Sequence, residues 1–172
     1  MTEPKRHKRS AGLLLFRRTD GPDGPDDPDG SSAAGVEVLL GHMGGPLWAS
    51  RDAGGWAIPK GEYGPEETPR DAARREFTEE IGLPPPEGEY LPLGEVRLSS
   101  GKLVTVWAVE ADLDPALMVP GTFTMEWPPH SGREQEFPEL DRVAWFAPPT
   151  ARDKLITGQI PFLERLLALL EG

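Results

Sequence analysis

The sequence predicts a single α+β domain in which helices cover a mixed β-sheet. Two features predict this class: several short aliphatic segments bounded by glycine, proline or serine, and one strongly marked helix between them. A chain of 172 residues can bury one sizeable core but is short for two. We therefore expect residues 1–172 to form one domain with one functional site.

The first two strands are predicted at Ala11–Arg18 and Gly35–Met43. The segment between them consists almost entirely of Asp, Pro, Gly and Ser, which favour turns and bury little apolar area. Residues 20–34 are therefore predicted to be a flexible acidic loop, and residues 1–9 to be disordered. A calcium site in this loop is disfavoured, because its acids do not follow the order of an EF-hand.

Further strands and a second helix are predicted downstream from the same signals. The strands are Tyr90–Leu98, Lys102–Ala111, Thr122–Trp127 and Arg142–Ala147. The second helix is predicted at Phe162–Leu170, where leucines recur at helical spacing and favour packing on the sheet.

The marked helix, Thr68–Gly82, has signals at both ends. Thr68 is a good N-cap, Pro69 suits the first helical position, Asp71 favours the positive end, and Gly82 suits a left-handed stop. The sequence therefore predicts both ends of this helix.

The same helix carries two distinct faces. An apolar stripe is formed by Ala73, Phe77 and Ile81, and a carboxylate cluster by Glu76, Glu79 and Glu80. Three like charges one turn apart destabilise a bare helix, so something should offset them. One interpretation is a solvated acidic face neutralised by nearby arginines, and the other is a site for a hard cation such as Mg²⁺. The spacing alone leaves both open.

The residues around the cluster favour the second interpretation. The chain reads GEYGPEETPRDAARREFTEEIGL from Gly61, which resembles the Nudix box G-x5-E-x7-R-E-U-x-E-E-x-G-U, with U a hydrophobic residue. The matching positions are Gly61, Glu67, Arg75, Glu76, Phe77, Glu79, Glu80, Gly82 and Leu83. The resemblance covers Gly61–Leu83 and implies the Nudix fold, an α/β/α sandwich around a mixed sheet.

The resemblance also implies roles for individual residues. In the family, the first glycine carbonyl and the box glutamates bind Mg²⁺ or Mn²⁺. The corresponding metal ligands here are Gly61, Glu76, Glu79 and Glu80, and the last two are catalytic candidates. Glu67 and Arg75 are expected to support the loop against the helix. Such enzymes hydrolyse a phosphoanhydride bond in a nucleoside diphosphate derivative, with metal ions neutralising charge and activating water.

Many family members place the general base beyond the box, before a late strand. In GREQEFPELDRVAWF, Glu139 resembles the base-bearing glutamate of relatives, and Glu136 is its close competitor. Either residue could instead be an ordinary exposed acid. The sequence therefore leaves both carboxylates open as the group that reaches the attacking water.

Several cations and aromatic residues in or near loops are candidate substrate contacts. Lys60, directly before the box, is the favoured phosphate contact, whereas Arg51, Lys102 and Arg133 are equally typical of a solvated surface. The aromatic residues placed in or beside loops, where a base could stack, are Trp48, Tyr63, Trp127 and Phe137. From both groups, the substrate-binding candidates are Lys60, Trp48, Tyr63 and Arg133.

Composition limits the alternatives. The chain has no cysteine, which excludes disulfides, thiolate metal sites and cysteine nucleophiles. A net charge of -11 disfavours general nucleic-acid binding, and no apolar run is long enough for a signal or membrane segment, so a cytoplasmic protein with no membrane contact is expected. A small-molecule nucleotide is the expected partner.

Three functions remain open: a hydrolase, a catalytically silent nucleotide-binding regulatory module, and an acidic scaffold. Only the hydrolase needs every box glutamate. The elements AGLLLFRR and WAIPKGEY resemble diadenosine polyphosphate hydrolases and nucleoside triphosphate pyrophosphohydrolases. Dinucleoside polyphosphates are therefore the favoured substrates, ahead of ordinary or oxidised nucleoside triphosphates, and then ADP-ribose and triphosphorylated RNA ends.

Overall fold

The computed structural model describes residues 8–19 and 35–171. Its strands are β1 (Arg9–Arg18), β2 (Val36–Met43), β3 (Trp56–Ala57), β4 (Lys60–Glu62), β5 (Tyr90–Arg97), β6 (Leu103–Glu110), β7 (Thr122–Glu126), β8 (Glu134–Pro138) and β9 (Leu140–Phe146). Its α-helices are α1 (Pro69–Ile81), α2 (Pro148–Lys154) and α3 (Ile160–Glu171). Short 3-10 turns cover Pro115–Leu117 and Thr157–Gln159.

The main sheet is mixed and forks near its centre. β1 pairs parallel to β6 through Arg9–Phe16, but it pairs antiparallel to β2 only through Phe16–Arg18. The other end of β1 pairs with β4 through Ser10–Gly12, while β2 pairs with β3 through Gly41–His42. β1 and β2 therefore diverge, and the short strands β3 and β4 occupy the fork between them. β9 pairs with the outer edge of β2, β5 pairs with β6, and β7 and β8 form a separate two-stranded ribbon.

Two hydrophobic cores lie on opposite faces of the sheet. Alternation along β1 sends Leu14 and Phe16 to one core and Leu13 and Leu15 to the other. The first core is covered by α3 with Phe162, Leu163 and Leu166, and by Ala151 of α2. The second is covered by α1 with Ala72, Ala73, Phe77 and Ile81. The predicted α+β class and the layered arrangement of helices around a mixed sheet are confirmed.

Helix α1 begins and ends where its sequence predicts. The Thr68 side chain accepts a hydrogen bond from the Asp71 backbone N–H at 3.2 Å. Gly82 ends the helix at φ 79°, in the left-handed region that favours glycine. Both ends are therefore set by local chemistry, which fixes the direction in which the glutamate face points.

Some elements differ from the sequence-based predictions. Arg9 is the first residue of β1, so the predicted disordered segment 1–9 is wrong at that residue, which pairs with Leu103. Residues 1–7 and the acidic loop 20–34 lie outside the described residues. Strands β3, β4 and β8 and helix α2 were not predicted, because they are short or lack apolar periodicity. No helix in residues 8–19 and 35–171 is long and apolar enough to span a membrane.

Candidate active site

A cleft of about 530 Å³ opens at the fork of the sheet. Side chains of α1 line it together with Ile156 and Gln159. Its acidic lining residues are Glu62, Glu76, Glu79, Glu80 and Glu139, and its cationic ones are Lys60 and Lys102. The cleft therefore brings the whole carboxylate face of α1 together with a glutamate from beyond the box.

Gly61 lies directly beneath the carboxylate of Glu76. A Cβ added at Gly61 would overlap that carboxylate, so the Glu76 side chain would have to move to accommodate any other residue there. Next to it, the Lys60 backbone N–H donates to Glu80 Oε2 at 3.1 Å. These two contacts hold β4 against the glutamate face of α1.

Arg75 links the loop before α1 to the glutamate face. Its Nε and Nη2 donate to the two carboxylate oxygens of Glu67, each at 2.9 Å. Its Nη1 donates to Glu76 at 2.8 Å and to Glu79 at 3.1 Å. The hydrogen bonds that Arg75 donates to Glu67 raise the pKa of Arg75 and lower the pKa of Glu67. Glu67 and Arg75 thus make the loop-to-helix contacts expected of supporting residues.

The deepest glutamates resist ionisation in the absence of a cation. Burial raises the pKa of Glu80 to about 8, and the charges of Glu76 and Glu139 add to the shift. Burial also raises the pKa of Glu76, against the opposing effect of the Arg75 hydrogen bond. A cation in the cleft would relieve the mutual repulsion of these carboxylates.

The donor set fits Mg²⁺ or Mn²⁺ in its chemistry, because it offers carboxylate oxygens and the backbone of Gly61. The side chains do not already form a closed metal cage. Within residues 8–19 and 35–171, no group of three acidic or histidine side chains stands in metal-holding geometry. Arg75 instead contacts Glu76 and Glu79.

Of the two candidate bases, the structure places Glu139 in the cleft. Glu139 lies in the short connection between β8 and β9, and its backbone carbonyl accepts from the Gly44 N–H at 3.0 Å. Glu136 lies within β8, pairs with Thr124 of β7, and is not among the described residues that line the cleft. The sequence predicts β7 but not its partner β8, because GREQEFP is too polar to show strand alternation.

Two lysines provide the positive charge of the cleft. Burial lowers the pKa of Lys60, and the nearby charge of Lys102 lowers it further. Lys102 lies 3.7 Å from Glu62, which also lines the cleft. From the sequence, Lys102 is expected to be a solvated surface cation. Its position follows from the parallel pairing of β1 with β6, which brings the start of β6 beside the start of β1.

Trp48 lies in a second, largely apolar groove of about 230 Å³ that adjoins the cleft. The groove shares Met43 and Glu139 with the cleft, and Leu47, Phe123 and Met125 are among its other walls. Leu47 is 63% exposed. An apolar surface open to solvent beside a charged cleft suits the nucleoside end of a substrate.

The other two substrate-binding candidates lie elsewhere. Tyr63 packs partly against the core beneath α1 and lines a separate groove with Lys8 and Pro69. Arg133 lies in the exposed connection of the β7–β8 ribbon, where its carbonyl accepts from the Trp127 N–H at 2.9 Å. Neither is among the described residues lining the cleft.

A buried histidine fixes the loop that carries Trp48. His42 has no exposed surface; its Nδ1 lies 3.0 Å from the Asp141 carboxylate and its Nε2 lies 2.6 Å from the Arg51 carbonyl oxygen. Both ring nitrogens are therefore engaged in joining β2 to β9 and to the far end of this loop.

Comparison with known proteins identifies the family. A family model described as the NUDIX domain matches residues 27–166. The chain belongs to the NUDIX domain family. An RNA pyrophosphohydrolase of Pseudomonas putida (strain F1) is 42% identical over 55 residues, which are 31% of this chain and 35% of that relative. The match thus spans about a third of the length of such curated NUDIX relatives.

Solved NUDIX structures share the fold over nearly the whole chain. An Ap4A hydrolase of C. elegans, crystallised as a binary complex, gives a TM-score of 0.60 at 20% identity and covers 95% of this chain and 98% of its own. A Nudix hydrolase of M. smegmatis, RenU, gives a TM-score of 0.55 at 27% identity, with 96% and 86% covered. At 20% identity, the likeness to the Ap4A hydrolase shows a shared fold and nothing more.

Proposed function

We propose that this NUDIX protein is a hydrolase that uses a divalent metal to cleave a phosphoanhydride bond in a nucleoside diphosphate derivative. One observation carries the proposal: five glutamates, among them Glu76, Glu79 and Glu80 of the box, and two lysines line one cleft beside an apolar groove. The cleft suits a polyphosphate and the groove suits a base. A silent binding module would not need this set of carboxylates.

In this proposal, Gly61, Glu76, Glu79 and Glu80 hold Mg²⁺, or Mn²⁺ in its place. The bound ion would neutralise developing charge on the phosphates and lower the pKa of an attacking water. Arg75 and Glu67 orient the glutamates, since their hydrogen bonds join the loop to the helix. Lys60 and Lys102 contact phosphate oxygens, which offsets the acidic character of the rest of the chain.

Glu139 is the proposed general base. It faces the same cleft as Glu76 and Glu80, whose pKa values its charge helps to raise. A base must lie within hydrogen-bond distance of the water that it deprotonates, and in this proposal the water is held between Glu139 and α1. Glu136 has no such placement in the described structure.

Dinucleoside polyphosphates are the proposed substrate class. The groove holding Trp48 offers a stacking surface for a base, while the cleft holds phosphates and leaves room for the second nucleoside to extend outward. Nucleoside triphosphates, ordinary or oxidised, are the first alternative, because they need the same groove and fewer phosphate contacts.

A second candidate is the triphosphorylated 5′ end of RNA. It is favoured by the curated relatives, which are RNA pyrophosphohydrolases. Against it stands the net charge of -11, which repels the rest of an RNA strand.

The test is a kcat/KM panel with Mg²⁺ over diadenosine tetraphosphate, ATP, 8-oxo-dGTP, ADP-ribose and triphosphorylated RNA, with products identified. We expect diadenosine tetraphosphate to rank first. A rank more than about tenfold below the mononucleotides, or about 1.4 kcal/mol of transition-state discrimination, would exclude it as the natural class. No turnover of any member, with tight binding of one, would favour the regulatory module.

A further inference from the structure

A buried glutamine lines the same cleft as the glutamates. Gln159 is only 3% exposed and ends the 3-10 turn before α3. Its Oε1 accepts a hydrogen bond from the Ile58 backbone N–H at 2.8 Å. Because a backbone N–H needs an acceptor, this bond identifies the oxygen of the amide and therefore also its nitrogen.

The nitrogen end of this amide has donors to spare. Among the described residues, Nε2 of Gln159 makes no hydrogen bond. In the described part of the chain, Ser10 Oγ is the one fully buried side-chain polar atom without a hydrogen-bond partner. Because Nε2 of Gln159 also has no partner, it must retain some solvent access. Gln159 itself lines the cleft. A buried amide normally has a partner for its N–H groups.

We propose that Gln159 is a substrate-binding residue whose side-chain amide donates a hydrogen bond to an acceptor atom of the nucleotide. The inference rests on the proposed function, because it takes the cleft as the nucleotide site. Lys60 and Lys102 supply the charged contacts for phosphates. The neighbours of Gln159 in the cleft include Ala57 and Ile156, and a neutral donor between apolar walls suits an uncharged acceptor on the nucleoside.

Two substitutions separate binding from a purely structural role. Gln159→Glu keeps an oxygen for the Ile58 N–H but replaces the NH₂ donor. Gln159→Met keeps the length of the side chain and removes both polar ends without adding charge. We expect both variants to raise KM about 3- to 10-fold with kcat unchanged, the scale for losing one neutral hydrogen bond to substrate. Gln159→Met should also lower Tm, because the Ile58 N–H loses its acceptor.

The matched control is Gln135→Glu, which makes the same charge change on the exposed strand β8, where Gln135 donates to the Trp127 carbonyl. Its KM should equal that of the parent. A rise in KM for Gln159→Glu alone would show that added charge is responsible and would overturn the proposal. An unchanged KM in both variants, with a lower Tm for Gln159→Met, would leave Gln159 as a structural brace and would also overturn it.

Two further measurements keep this inference separate from the proposed function. Nucleotide Kd by titration calorimetry reports the Gln159 contact even if the parent hydrolyses nothing, an outcome that would refute only the hydrolase. Competition by adenosine and by inorganic tripolyphosphate locates the acceptor: weaker inhibition of the variants by adenosine places it on the nucleoside, and weaker inhibition by tripolyphosphate places it on a phosphate.

Discussion

Replacing Glu80 by glutamine should stabilise the metal-free protein at alkaline pH and abolish its response to Mg²⁺. Burial raises the pKa of Glu80 to about 8 from a usual 4.5. The folded state therefore keeps a proton that the unfolded state releases between these two values, so stability falls as pH rises from about 4.5 to about 8. The glutamine side chain of the Glu80→Gln variant does not titrate, and its amide oxygen can still accept from the Lys60 N–H.

The size of the effect follows from the cost of a poorly paired buried charge, about 1–3 kcal/mol. For a chain of this length, each kcal/mol shifts Tm by about 2–4 °C. We expect the Glu80→Gln variant to match the parent near pH 4.5 and to melt about 4–8 °C higher at pH 8.5 in EDTA, for an effect of about 2 kcal/mol. Added Mg²⁺ should raise the Tm of the parent and leave the variant unchanged, since a ligand stabilises only the state that binds it.

Differential scanning calorimetry across pH 4.5–9, with EDTA or Mg²⁺, measures both effects. Glu95→Gln on β5 is the control, because it removes the same charge from an exposed site. A lower Tm for the Glu80→Gln variant than for the parent at pH 8.5 without metal would mean that Glu80 is a structural residue. Equal stabilisation of both proteins by Mg²⁺ would refute the metal assignment.

Two other outcomes are expected. Glu139→Gln should lower kcat by roughly 10²–10⁴-fold with little change in KM, while Glu136→Gln behaves like the parent; the reverse pattern in steady-state kinetics would move the base to Glu136. Trp48→Ala should raise KM about 5- to 100-fold, which is the scale of losing the stacking of one nucleobase. The control Leu169→Ala, which shortens an exposed residue of α3, should leave KM unchanged. Equal KM values for Trp48→Ala and the parent would show that the nucleobase does not bind in this groove.

The parts of the fold that the sequence predicts are those governed by local chemistry. Helix α1 has a capping threonine, an early proline and a terminal glycine, and the structure begins and ends it at those residues. Its apolar stripe and its carboxylate face also follow from helical spacing alone. The metal-binding candidates consequently lie together, because one regular element carries nearly all of them.

The parts that the sequence misses depend on pairing between distant segments. Lys102 and Gln159 reach the cleft through the parallel β1–β6 pairing and the turn before α3, which no local pattern encodes. Strand β8 is polar and forms because β7 pairs with it. Tyr63 follows the box glycine by only two residues, yet its side chain lines the other groove, because the chain leaves strand β4 after Glu62 and turns toward α1.

The hydrogen bond between Gly44 and Glu139 limits how this scaffold can be altered. The loop bearing Trp48 begins at Gly44, where any added Cβ would collide with the Pro138 carbonyl, and His42 anchors the loop again at Arg51. The loop proposed to bind the nucleobase and Glu139 therefore share a backbone hydrogen bond, so a change that moves the loop at Gly44 would also move the proposed general base. Redesign of the groove for a new nucleobase should be confined to residues 46–50, because a side chain added at Gly44 would collide with the backbone beside Glu139, the proposed general base.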